Sequence, residues 1–165
     1  IEDILRAEEK ISVYNYGISV LSRCARTEYE LRLKMQIKGF EPILIDRAIS
    51  ALKDHKYIDD EKYCEMYIRD KINLSNYGVR KIKEALYQKG IAKEIIEEKI
   101  KIITPESEEE RAYILGEKKL SNIRENDTRK KMAKLSNYLI GRGFEYDTVN
   151  KTVRKLINTD FDDIC

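Results

Sequence analysis

The chain has 165 residues, with 32 Lys or Arg against 30 Asp or Glu and a formal net charge of +2. Only seven Gly and two Pro exclude an all-β fold, which needs many more turn residues, and so balanced a charge excludes a uniformly basic polyanion binder. No apolar run approaches the roughly 18–20 residues that span a bilayer, and no signal-peptide pattern opens the chain, so no membrane partner is expected. Cys24, Cys64 and Cys165 have neither CxxC spacing nor an even count, which points to reduced thiols and a cytoplasmic location.

Residues 1–10 read as the remnant of a missing N-terminal segment. A first repeat, 11–56, follows. Val13, Tyr14, Gly17, Ile18 and Leu21 fall on one helical stripe that ends near Arg23. Thr27 with Glu30 forms a capping box at the start of a second helix. That helix carries Leu31, Leu33, Met35 and Ile37 and is expected to stop at Gly39, a glycine placed for the left-handed region. Pro42 suits the first turn of a third helix, with Ile45, Ala48, Ile49 and Leu52 inside.

The second repeat, 57–104, keeps this grammar. Asp59 or Asp60 caps a helix bearing Tyr63, Cys64, Tyr67, Ile68 and Ile72, which breaks over Asn73–Gly78. Val79, Ile82, Ala85, Leu86 and Lys89 then share one helical face up to Gly90. Ile95, Ile96, Lys99, Ile100 and Ile103 line the next helix, stopped by Thr104-Pro105. In the third repeat, 105–160, Ser107 and Glu110 read as a capping box before Ala112, Leu115 and Lys119. A polar break at Asn122–Asp127 precedes a helix holding Met132, Leu135 and Leu139, stopped by Gly143. Asp147 is expected to cap the last helix, with Val149, Val153, Leu156 and Ile157 inside, and 161–165 reads as a frayed tail.

Three helix stops punctuate this order: Lys38-Gly39-Phe40, Lys89-Gly90-Ile91 and Arg142-Gly143-Phe144, with glycines 51 and 53 residues apart. A period near fifty that ends a helix each time signals an internal repeat. The expectation is an all-α chain of three tandem three-helix repeats, stacked in an elongated, curved array. Such an array exposes much surface, which accounts for most of the 38% charged residues.

Candidate functional residues lie on the middle helices. In repeat two, Arg80, Lys83 and Tyr87 share the outer side, with Lys81 at its edge. In repeat three the corresponding helix carries Arg129, Lys130, Lys131, Lys134 and Arg142, with Tyr138 near them. Two basic helices at equivalent positions would form a stripe able to meet an acidic groove or a phosphate backbone; the competing reading is a solvated face. Asp59 and Asp60 lack further ligands at a sensible spacing and read as helix-capping acids, and Glu108, Glu109 and Glu110 as a helix-start cluster. His55, the one histidine, sits at a helix C-terminus. Of eleven tyrosines, Tyr14, Tyr63 and Tyr67 fall on core stripes, leaving Tyr77 and Tyr87 as candidates for base stacking. With no phosphate loop, zinc spacing or nucleophile motif, neither an enzyme nor a cofactor is expected.

Tyr57-Ile58-Asp59-Asp60 with Tyr63 and Tyr67, followed by Gly78-x-x-Lys81-Ile82-x-x-x-Leu86-x-x-Lys89-Gly90-Ile91, resembles the central signature of the RecX regulatory proteins. Arg26-Thr27-x-x-Glu30-Leu31 with Lys38-Gly39-Phe40 resembles their first repeat, and Arg142-Gly143-Phe144 their third, so the resemblance covers roughly residues 10–157. It implies a non-enzymatic protein of three-helix repeats that lodges along the RecA filament on single-stranded DNA. There it would modulate, usually by inhibition, the ATPase, strand-exchange and co-protease activities. A monomer with no cofactor is expected, some members also binding DNA directly. One departure is local. The family's Gly-Pro before an Arg-Ile pair is here Gly78-Val79-Arg80-Lys81-Ile82, and a lysine cannot reproduce the planar two-point contact of an arginine. The alternative function is a helical-repeat module that grips DNA directly through its basic helices.

Overall fold

A computed structural model describes residues 2–162. Among them are nine α-helices and no strand: α1 (Glu2–Leu21), α2 (Glu28–Lys38), α3 (Pro42–Asp54), α4 (Asp60–Asp70), α5 (Val79–Gln88), α6 (Lys93–Lys99), α7 (Pro105–Leu120), α8 (Thr128–Gly141) and α9 (Tyr146–Asp162). The chain is all-α and consists of three three-helix domains in tandem. Residues 2–10, expected as a separate remnant, continue α1 without a break, and α9 runs two residues into the expected tail. Ile1 and residues 163–165, including Cys165, lie outside the described residues.

The three glycine stops share one geometry. Gly39, Gly90 and Gly143 have φ of 92°, 75° and 88°, the left-handed region that glycine enters without a Cβ penalty. At each stop the glycine N–H donates to the carbonyl three residues back, at 2.9 Å. The following residue's N–H reaches five residues back: Phe40 to Met35, Ile91 to Leu86, Phe144 to Leu139, at 3.2–3.3 Å. This is the Schellman arrangement, and it satisfies carbonyls that the end of a helix leaves open. Ile91 and Phe144 are buried and Phe40 half-buried, the last meeting the Tyr16 ring edge-on.

Two compact bodies emerge. One comprises the chain up to Met66 with Leu86–Ile96, the other Tyr67–Ala85 with Glu97 onward. In the first, α1, α2 and α3 close around Val13, Leu31, Met35, Ile45, Ile49 and Leu52. Tyr14 Oη lies 2.8 Å from His55 Nδ1, so the histidine at the end of α3 is tied to α1. In the second body, α7, α8 and α9 close around Ala112, Leu135, Leu139, Phe144, Val153 and Leu156.

On α2, Leu33 and Ile37 stand two residues off the buried Leu31 and Met35, which turns them toward the opposite face; they are 37% and 80% exposed. Several local expectations are corrected. The α7 start is Thr104, whose side chain accepts from the Ser107 N–H at 3.2 Å, with Pro105 in the first turn. A Thr-Pro pair meets the preferences of both positions, so it begins this helix one turn ahead of Ser107. Asp147 does not precede α9 but lies inside it: the helix opens at Tyr146, and the Val149 N–H donates to the Glu145 carbonyl at 2.9 Å. The break after α4 is also shorter than expected, because Lys71–Ser75 continues as a wide π-helical turn ended by Asn76 in the left-handed region.

Candidate partner-binding surface

In the second body, the start of α5 is clasped to the end of α8. The Gly78 N–H donates to the Arg142 carbonyl at 2.9 Å and the Arg80 N–H to the Gly143 carbonyl at 3.0 Å. The backbones approach so closely that a Cβ on Gly78 would lie 2.3 Å from the Gly143 oxygen. A Cβ on Gly143 would lie 2.2 Å from that of Lys81. The first helical N–H of α5, that of Val79, donates to Glu108 Oε1 on α7 at 2.9 Å. Glu108 is 6% exposed, and burial raises its carboxyl above the ordinary range despite that bond. Beside it, Arg111 Nη1 donates to the Tyr77 carbonyl at 2.6 Å, and burial lowers its pKa.

The cations expected on the outer side of α5 take part in this clasp. Arg80 Nη2 donates to the Ile140 carbonyl at 2.5 Å, with its guanidinium 6.0 Å from the centre of the Tyr146 ring. Lys81 Nζ lies 3.5 Å from the Gly141 carbonyl and 4.5 Å from the centre of the Tyr77 ring. Both serve the carbonyl end of α8, where a positive charge is favoured. Lys83 pairs with Glu97 at 2.9 Å. Tyr87 belongs to the other body and is 41% exposed.

On α8 the basic residues divide between the two ends. Arg129 and Lys130 are exposed in the first turn, where Asp127 accepts their backbone N–H groups at 2.8 and 3.1 Å. No side-chain partner holds either of them among the described residues. Lys131 is half-buried and engaged, and Lys134 pairs with Glu125 at 2.9 Å, which holds the Glu125 carboxyl below its usual range. Arg142 lies beyond the other end, 5.3 Å from the centre of the Tyr138 ring. At a rise of 1.5 Å per residue, Lys130 and Arg142 are about 18 Å apart along the axis. The structure thus brings Arg80, Lys81 and Arg142 together at one end of α8, and leaves Arg129, Lys130 and Lys134 at the other.

The first body repeats the clasp with different side chains. Thr27 is buried; its Oγ1 donates to the Lys89 carbonyl at 2.7 Å and accepts from the Glu30 N–H at 3.1 Å. Lys89 Nζ pairs with Glu30 at 2.7 Å, and a Cβ on Gly90 would lie 2.3 Å from that of Tyr29. The first helical N–H of α2, that of Glu28, donates to Asp60 Oδ1 at 2.9 Å, and burial raises the Asp60 carboxyl. Asp59 is the acid that serves α4 itself, accepting from the Lys62 N–H at 2.9 Å. Asp60 and Glu108 therefore play one role, each completing the middle helix of the repeat before its own. Their acidity was visible in the sequence; the partner was not, because it lies 32 and 29 residues upstream. Among the described residues no group of three or more His, Cys, Asp or Glu is placed to hold a metal, and no helix is long and apolar enough to cross a membrane.

Comparison with known proteins agrees with this triple arrangement. Family models described as the first, second and third three-helix domains of RecX match residues 14–52, 59–100 and 106–153. The protein named regulatory protein RecX from Clostridium perfringens (strain 13 / Type A) is 39% identical over 163 residues, covering 98% of this chain and 76% of that protein. The crystal structure of RecX from Lactobacillus salivarius superposes with a TM-score of 0.84 at 29% identity, covering 91% of this chain and 97% of that one. A second crystal structure, of regulatory protein RecX, gives 0.85 at 26% identity over 92% and 75%. The chain belongs to the RecX family of regulatory proteins.

Proposed function

We propose that this chain is a cytoplasmic, monomeric regulator that binds the RecA filament on single-stranded DNA and inhibits its ATPase, strand-exchange and co-protease activities. It would act by occupying the filament, with no chemistry of its own. Family membership supports the partner. The observation that carries the site is the exposed pair Arg129 and Lys130, held by no side-chain partner among the described residues, next to Lys131 and Lys134. Arg80, Lys81, Lys83 and Arg142, in the same body, belong to the proposed surface as well. The first two and Arg142 also stand at the α5–α8 clasp, so changes there will alter stability along with binding.

The test is a titration of RecA filament ATPase. Inhibition is expected at concentrations well below those that bind bare single-stranded DNA. Reversing charge at Arg129, Lys130, Lys131 and Lys134 should raise the half-inhibitory concentration at least tenfold while leaving the melting curve in place. If affinity for bare DNA falls steeply with salt and the filament adds nothing, the chain is a DNA-binding module instead.

A further inference from the structure

The chain forms its clasp twice, around Gly90 and around Gly143, and presents a third stop that nothing clasps among the described residues. Gly39 has the same φ and the same pair of backbone hydrogen bonds, yet a Cβ there would meet nothing within 4 Å. Exposed apolar residues flank this stop: Ile37 at 80% and Ile43 at 56%, with Leu33 at 37% one turn before. Counted by the glycine spacing, Ile37 corresponds to Gln88 and Gly141, and Ile43 to Glu94 and Asp147. The first repeat alone carries large apolar side chains where the other two are polar or small. Exposed as they are, they add little to the fold, and large apolar groups left exposed on both sides of one stop suit a contact surface.

We propose that the end of α2, with Ile37 and Ile43, is a docking site for the first turn of a helix on the filament partner; this rests on the reading above for the partner's identity. The chemistry of the occupant follows from the two clasps already formed. Each stop takes the start of a helix, which brings N–H or hydroxyl donors to the carbonyls at and before the glycine. Here the acceptors are the Lys38 and Gly39 carbonyls at the negative end of α2, facing the positive end of the incoming helix. Ile37 and Ile43 add a requirement for an apolar side chain in that first turn. Lys34 and Lys38 favour an acid beside it.

A second copy of this chain does not fit. Among the described residues the unclasped middle-helix start is that of α8, which lies 15 residues ahead of its stop, against 11 for both α2 and α5. The extra residues make about one turn. The position matching Thr27 and Gly78 is therefore Lys131, inside the helix, where its N–H already donates to the Asp127 carbonyl at 2.8 Å. The donor that the clasp requires is in use.

The experiment compares wild type with Ile37→Gln/Ile43→Glu, which installs the residues found in repeat two. Both positions are exposed, so the melting temperature should move by no more than a few degrees. Filament ATPase inhibition and direct filament binding should weaken at least tenfold. An unchanged inhibition curve for the double variant, with wild type inhibiting, overturns this inference and leaves the proposed function standing. Wild type that neither binds nor inhibits removes both. Concentration-dependent self-association that is lost in the double variant would make a second copy the occupant and overturn the choice made here.

Discussion

The stops at Gly39 and Gly143 are the same structure in two settings. Their φ angles differ by four degrees and their hydrogen bonds match, yet one glycine is open to solvent and the other is pressed against the backbone of Lys81. Local geometry explains why both are glycine. Only the surroundings say what each is worth. At Gly39 the side-chain-free residue avoids left-handed strain; at Gly143 it also permits an approach that no other residue allows.

Substitution should separate the two. Gly143→Ala is expected to lose about 3 kcal/mol or more, because left-handed strain adds to a clash with backbone atoms that cannot move aside. Gly39→Ala should lose only about 1 kcal/mol, the strain alone. Equal losses in denaturant melts would show that the close approach at Gly143 contributes nothing.

Thr27→Val comes next, at about 2 kcal/mol. It removes the donor to the Lys89 carbonyl and the acceptor for the Glu30 N–H at an otherwise isosteric buried site. A melt unchanged by this substitution would mean that the first clasp is held by Tyr29 and the Lys89–Glu30 pair.

Glu108 tests whether the second clasp uses an acceptor or a charge. Glu108→Ala leaves the Val79 N–H without its partner and should cost about 1–2 kcal/mol. Glu108→Gln keeps an acceptor and should be at least as stable as wild type at pH 7. The sign follows from the raised folded-state pKa. The glutamate's contribution is fully present below its unfolded value and is lost as pH rises through the higher folded value. The advantage of glutamine should therefore grow from pH 4 toward neutrality; an advantage that shrinks over that range would contradict burial as the dominant cause.

The smallest effect concerns a stop without glycine. Lys56 ends α3 at φ 58°, with its N–H and that of Tyr57 bonded in the same Schellman pattern. Lys56→Gly relieves left-handed strain and should add about 0.5–1 kcal/mol to stability, read as a rise in melting temperature of a few degrees.

What the sequence revealed was local. Thr27 with Glu30, Pro42 and the three glycines each specify an element through neighbours within five residues, and the structure has them as expected. The apolar residues of α2 divide between two faces, because a helix separates positions two apart by roughly 200°. The sequence marks Glu108 as a helix-start acid, which describes its place in α7 but not its bond to Val79. That bond depends on how consecutive repeats stack. The same holds for the α5 cations: helical spacing put Arg80, Lys81 and Lys83 near the outside, and only the packed structure shows the α8 carbonyls and Glu97 waiting there.

The acids Asp60 and Glu108 also give the assembly of the chain a direction in time. Synthesis runs from α1 to α9, and the first turn of each of the two leading middle helices stays unfinished until the next repeat emerges to supply its carboxylate. A nascent chain that ends before Asp60 has an incomplete α2, and one that ends before Glu108 has an incomplete α5. The third middle helix, α8, is capped instead by an acid just ahead of it, Asp127, and needs no later residue for that cap. Growth along this chain is thus a pair of deferred closures followed by a middle helix that closes at once.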